Sequence, residues 1–177
     1  FGSPKGSPMH LFYLLSVWLH ILAAGIWIGG MVFLALALIP VIRRKEYRGA
    51  ATGLIHEIGV RFRFVGWGCL GLLLFTGIVN LAFRGFGWAD VWSGRIVQGP
   101  FGQVLGIKLL LVAVILLISA LHDFLIGPRA TALGQVDPTS PGAIRLRRQA
   151  SWLGRLNLLL ALVVVALGEM LVRGWPW

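Results

Sequence analysis

The sequence predicts an all-α fold: an integral membrane four-helix bundle with both termini outside (N-out/C-out). Three observations predict it. The 177 residues are 58% hydrophobic and only 12% charged, a balance foreign to a soluble domain of this size. Four apolar segments meet or approach the ~20 residues that cross bilayer hydrocarbon as a helix. The basic residues gather in alternate connections between those segments.

Residues 1–8, Phe-Gly-Ser-Pro-Lys-Gly-Ser-Pro, read as a vector-derived extension ahead of a native Met9. Residues 1–10 are therefore set apart, and 11–177 are expected to form a single transmembrane domain with spans near 11–42, 60–84, 103–127 and 152–173. The first span contains only two ionisable groups, Tyr13 and His20. It exceeds one straight crossing, so it tilts or protrudes, and Pro40 fits a helix finishing at the cytoplasmic face. The apolar run is too long for the h-region of a cleaved signal peptide. Gly25 and Gly29 form a small-xxx-small pair that admits a close neighbour.

An amphipathic stretch from Lys45 to Ile58 leads into the second span. Gly66, Gly68, Gly71 and Gly77 let that span pack tightly, and Cys69 among them reads as a small packing residue. As the one cysteine it can form neither an internal disulfide nor a cysteine-based metal site. The connection from Arg84 to Gly102 carries Phe86, Trp88, Trp92 and Phe101, aromatics suited to the interface or to a lid over the bundle. Lys108 and His122-Asp123 interrupt the third span, which Gly127-Pro128 is expected to end. A linker over 127–149 follows, with turn chemistry at Asp137-Pro138-Thr139-Ser140-Pro141-Gly142. Only Glu169 interrupts the apolar run of the fourth span from Leu156 to Val172, and Trp175-Pro176-Trp177 reads as an interfacial anchor.

The net charge is +10, yet its placement argues against nucleic acid. Arg43, Arg44, Lys45, Arg48, Arg61, Arg63, Arg129, Arg145, Arg147, Arg148 and Arg155 fall on one side, against Lys5, Arg84, Arg95 and Arg173 on the other. That is a positive-inside bias, which puts the basic connections in the cytoplasm with anionic lipid as their partner. The glycine faces and the aromatic loop would also admit a second copy of the chain or a membrane partner protein.

Depth then sorts the polar residues. His20 lies about 14 Å from the outer start of its span, taking about 1.5 Å per residue. Asn80, Lys108 and Glu169 lie nearer the same side, so one residue from each span forms an outer polar layer. His122, Asp123, His56, Glu57 and Asn157 form an inner layer. His20 and His122 are thus too far apart in depth to ligate one metal from opposite faces. An ionisable group in lipid marks a site by default. Plainer readings stand beside this one. Lys108 can snorkel to the interface, and Glu169 can pair with Lys108 or Arg173. His122-Asp123 can cap a helix end, His56 can be solvated, and His20 can be satisfied by one interhelical hydrogen bond. No Ser/His/Asp or Cys/His set shares one depth, so no hydrolytic or nucleophilic chemistry is indicated.

Several motifs resemble the CopD family of bacterial inner-membrane copper-resistance proteins: Trp18-Leu19-His20 through Trp27-Ile28-Gly29-Gly30, Arg61-Phe62-Arg63-Phe64, Thr76-Gly77, and Lys108-Leu109-Leu110 leading to His122. The resemblance covers most of 11–127 and weakens in the fourth span. It implies copper transport or handling in the inner membrane. The His20 and Lys108 pattern is also similar to HemJ-type protoporphyrinogen oxidases, which would put both residues at a haem b.

The residues leave copper ion and haem b open. Copper(I) prefers thiolate, thioether and imidazole, and Met9, Met31, Met170 and Cys69 are scattered in depth. Metal ligands would come from His20, Glu169 and His122. Haem needs an axial histidine, an apolar slot and cationic propionate partners. His20, Ala23, Ala24 and Trp27 share one helix face, with Lys108, Arg84 or Arg95 as the cations, so the cofactor-binding candidates are His20, Lys108 and Trp27. The expected function is copper homeostasis at an outer-leaflet site centred on His20. A haem b redox protein acting on a quinone or porphyrin is the alternative, and a structural subunit of a membrane complex is the second alternative.

Overall fold

Long apolar runs with few breakers leave the backbone one solution in lipid, the helix, because every N–H and C=O must be paired internally. The computed structural model describes residues 8–42 and 44–173, and among these every regular element is helical. Residues 1–7, Arg43 and the 174–177 tail lie outside the described residues. The elements are α1 (Pro8–Phe33), α2 (Ile39–Ile42), α3 (Arg48–Phe83), α4 (Trp88–Trp92), α5 (Gly99–Ala120), α6 (Gly127–Val136) and α7 (Pro141–Arg173).

Four stretches are long and apolar enough to cross a membrane: Pro8–Ile42, Gly53–Phe83, Gly99–Val136 and Pro141–Arg173, of 35, 31, 38 and 33 residues. At about 1.5 Å per residue each exceeds the ~30 Å hydrocarbon core, so each tilts or protrudes. Large apolar side chains stay exposed along all four, Leu36, Phe64, Leu110 and Leu159 among them, as a lipid-facing surface requires. This is a multi-pass membrane protein.

Spans one and two pack as an antiparallel hairpin. His20 lies against Gly77, Trp27 against Gly66 and Gly30 against Phe62, so the position on span two falls as that on span one rises. Spans three and four form a second hairpin through α5 and α7. The core is shared by all four: Ala23 and Trp27, Cys69 and Leu70, Ile115, and Ala161 are buried together.

Span one runs through Pro40 to Ile42, with a π-helical turn over Leu34–Leu38 just before the proline. Proline lacks an N–H and its ring crowds the carbonyl four residues back, and a widened turn accommodates both. One helical expectation is revised: Gly127-Pro128 does not terminate span three. A second π-turn, Leu121–Ile126, leads into α6, where Pro128 occupies the first turn and needs no N–H. Only 137–140 of the expected 127–149 linker is non-helical. There Asp137 accepts hydrogen bonds from the Thr139 hydroxyl at 2.6 Å and amide at 2.8 Å, which hold its carboxyl below the usual range.

The 84–98 connection folds compactly at the far end. Gly87 N–H donates to Asp90 at 2.7 Å, and Arg95 pairs with Asp90 at 2.6 Å. Phe86 stacks on Phe101 at 5.8 Å, and Arg84 lies over that ring at 5.2 Å while donating to the Leu171 carbonyl. Trp88 and Trp92 are 74% and 87% exposed; they project outward and do not cover the bundle mouth. Gly102 and Gly106 receive Val97: a Cβ on Gly102 would lie 2.5 Å from the Val97 carbonyl carbon.

Candidate functional site

Near the 84–98 end, His20 and Thr76 meet across the first hairpin. His20 Nδ1 lies 2.7 Å from Thr76 Oγ1. The Thr76 hydroxyl donates to the Leu72 carbonyl at 2.6 Å, one turn back on its own helix. A hydroxyl has one proton, so towards the imidazole Thr76 accepts and His20 Nδ1–H donates. In the neutral ring Nε2 then keeps its lone pair. Metal-ligating histidines are held in this way by an outer partner on the other nitrogen. Thr76 is 1% exposed, and Ser16 donates to its carbonyl at 3.5 Å.

Lys108 approaches the same layer from span three, close enough to act on the His20 ring electrostatically. Its ammonium sits over Gly168, 3.3 Å from where a Cβ would be. No carboxylate pairs with it among the described residues. Glu169, expected in this layer, is exposed and bonded to Arg173 one turn on; the structure does not bring it to His20. Asn80 is in the layer's span-two helix with Oδ1 buried and unpaired.

The other end holds a second polar group. The π-turn puts His122 and Asp123 side by side on one cavity. His122 Nδ1 donates to Asp123 Oδ1 at 2.8 Å, and Trp67 Nε1–H donates to the other carboxylate oxygen at 2.9 Å. Asn157 donates to Ser119 Oγ at 3.0 Å, while its own Oδ1 is buried with no partner. An orphaned acceptor of this kind costs about 1–3 kcal/mol unless something fills the space beside it. The cavity, of about 70 Å³, is lined by Trp27, Met31, Ser119, His122, Asp123 and Asn157 among others. About 10–15 Å³ admits one water, so there is room for an ion with part of its hydration shell.

Along span two the anchors of the two groups, Thr76 and Trp67, are nine residues apart, or about 13 Å at 1.5 Å per residue. The expected separation of His20 from His122 rests on the same geometry. Trp27, a candidate beside His20, is 6% exposed and packs in the core next to the second group. On the face expected to hold haem b, Ala23 and Trp27 are packed against Cys69 and Leu70. His56 and Glu57 are exposed and belong to neither group.

Sequence reasoning missed Thr76, Trp67, Ser119 and Met31 as site residues. One signal was present: positions 20, 27 and 31 recur at seven and four residues, which keeps them on one helix face. Thr76-Gly77 was marked by the family resemblance but given no role, and nothing in the sequence marked the indole of Trp67.

Comparison with known proteins places this geometry in context. Residues 56–171 match the family described as copper resistance protein D. The match begins after span one and runs through span four, where the resemblance read from the sequence was weakest. A protein of Aquifex aeolicus (strain VF5), described only as uncharacterized, is 33% identical over 163 residues, 91% of this chain and 96% of that protein. No solved structure matches.

Proposed function

Since the chain belongs to the CopD, or copper resistance protein D, family, we propose that it handles copper in the bacterial inner membrane, through an outer-leaflet site centred on His20. One observation carries this reading: the Thr76 hydroxyl proton is spent on Leu72, so Nδ1–H of His20 is fixed as donor and Nε2 is left as a ligand. Imidazole is a ligand that copper accepts.

Among the described residues no three His, Cys, Asp or Glu side chains gather to hold a metal. A single imidazole with the Lys108 ammonium nearby binds a cation weakly. Passage requires sites favourable enough to enter and weak enough to leave, so this arrangement suits transport or hand-off better than storage. The basic stretches at 44–48 and, at the start of α7, at 145–155 then lie in the cytoplasm against anionic lipid, and the 84–98 end faces outward.

The test is metal content and absorbance of the protein purified from copper-supplemented cells. Bound copper that is lost in His20→Ala, without a Soret band, is the expected result. A Soret band lost in the same variant would replace copper by haem b. If His20→Ala changes neither metal content nor the copper tolerance of cells, the site reading fails.

A further inference from the structure

At the 84–98 end the charges do not balance. Among the described residues four lysine and arginine side chains stand there: Arg84, Arg95, Lys108 and Arg173. Two acids stand with them, Asp90 and Glu169. Each acid is already paired, Asp90 with Arg95 and Glu169 with Arg173. Lys108 and Arg84 are left without a carboxylate, and span four brings them together. The Lys108 ammonium lies over Gly168, 3.3 Å from where a Cβ would be. Arg84 donates to the Leu171 carbonyl at 3.2 Å. Gly168 and Leu171 are three residues apart, which puts them on one helix face, about 4.5 Å apart along the axis. The two cations are close enough to act on each other electrostatically. A charge within a membrane span is costly and pairs by default. Here two like charges converge, and the acids that could pair with them are spent.

We infer that Lys108 and Arg84 form an oxyanion site against span four, which takes the phosphate of a free anion or of a phospholipid headgroup. The donors choose the ligand class. Arg84 spends one N–H on Leu171 and keeps the rest of its planar fork. The ammonium of Lys108 brings three more donors. Several charged donors at different angles suit the several oxygens of a phosphate. Both cations are held in place. Arg84 lies over the Phe101 ring, and Phe101 is stacked on Phe86. Glycine at 168 leaves room for the ammonium, which a side chain there would crowd. Arg84 is exposed and Lys108 half-buried, so an anion enters past the arginine and reaches the lysine beneath it. The site stands without copper. Under the copper reading it has one consequence: an anion here offsets the charge that opposes a cation at His20.

The experiment is equilibrium dialysis of the full chain against radiolabelled inorganic phosphate. It is run in a non-ionic, phosphate-free detergent and again in phosphatidylcholine nanodiscs, with retained phospholipid counted by mass spectrometry. A single phosphate per chain is expected in detergent. Lys108→Met and Arg84→Gln each remove charge-assisted hydrogen bonds and are expected to weaken it by about 10- to 100-fold. Arg84 is exposed at a helix end, so Arg84→Gln keeps the test valid if Lys108→Met does not fold. Arg173→Gln removes an equal charge, one already spent on Glu169, and is expected to bind as the wild type does. Binding that persists in nanodiscs assigns the site to a free anion. Binding lost in nanodiscs, with a phospholipid retained by the wild type and not by Lys108→Met, assigns it to a headgroup. Either result upholds the site. Equal phosphate binding in wild type, Lys108→Met and Arg84→Gln would overturn it. So would a wild type that holds neither phosphate nor a phospholipid dependent on Lys108.

Discussion

Replacing Thr76 by valine tests whether the hydroxyl orients His20. Threonine and valine differ by one hydroxyl at nearly equal volume, and Thr76 is 1% exposed, so packing is conserved while the acceptor 2.7 Å from His20 Nδ1 disappears. Two consequences follow in free energy. A half-buried N–H left without an acceptor costs about 1–3 kcal/mol. In the apo protein the ring relieves that cost by turning or by changing tautomer, and either movement withdraws Nε2 from its ligating position. Rebuilding the productive orientation on binding then carries the same cost. At 1.4 kcal/mol per tenfold, this amounts to a loss of about 5- to 150-fold in affinity, in line with about 10–100-fold for other outer-shell partners. The assay is a competition titration of Cu(I) with a chromophoric chelator on purified protein, with thermal melting as the control for folding. Thr76→Ser keeps the acceptor and is expected to bind as the wild type does. Equal affinity in Thr76→Val and wild type, with both folded, would refute the orienting role.

Other consequences are open to simpler measurements. Gly102→Ala drives a Cβ to 2.5 Å from the Val97 backbone, and overpacking of this kind costs about 1–3 kcal/mol; its melting temperature in detergent should fall clearly below that of Gly106→Ala, where the nearest atom is a Val97 methyl at 3.1 Å. A cysteine at Ser93 should react with a membrane-impermeant maleimide on intact cells and one at Ser140 should not; the reverse pattern would invert the proposed orientation. The Gly87 amide first, and Arg95 second, hold the Asp90 carboxyl below its usual range. A lowered folded value contributes stability that is fully present above the ordinary carboxylate pKa of about 3.9 and is lost as pH falls from there through the lower folded value. Amide exchange at Gly87 should therefore stay slow from neutral pH down to about 4, and Asp90→Asn should accelerate it at neutral pH.

The fold was legible because lipid imposes one rule on the backbone. Apolar length alone marks where helices cross, and four such lengths are visible in this chain. Its ends were less legible. Gly127-Pro128 carries the local chemistry of helix termination, yet it is passed: a π-turn over Leu121–Ile126 leads straight into α6. The histidines were legible for the same reason as the spans: a polar group in an apolar run stands out. Their partners were not. Thr76, Trp67 and Ser119 are ordinary residues in a helix, and they acquire roles only because span two lies antiparallel to span one, Asp123 reaches back across to span two, and Asn157 of α7 meets Ser119 of α5. Glu169 shows the converse, a residue conspicuous in sequence whose helix turns it outward to Arg173. Sequence by itself determined the solvent, the number of crossings and the candidate ligands, because these follow from side-chain polarity along one dimension. Only the tertiary structure decided which polar atoms meet, since hydrogen bonds between spans depend on register and rotation that periodicity leaves free.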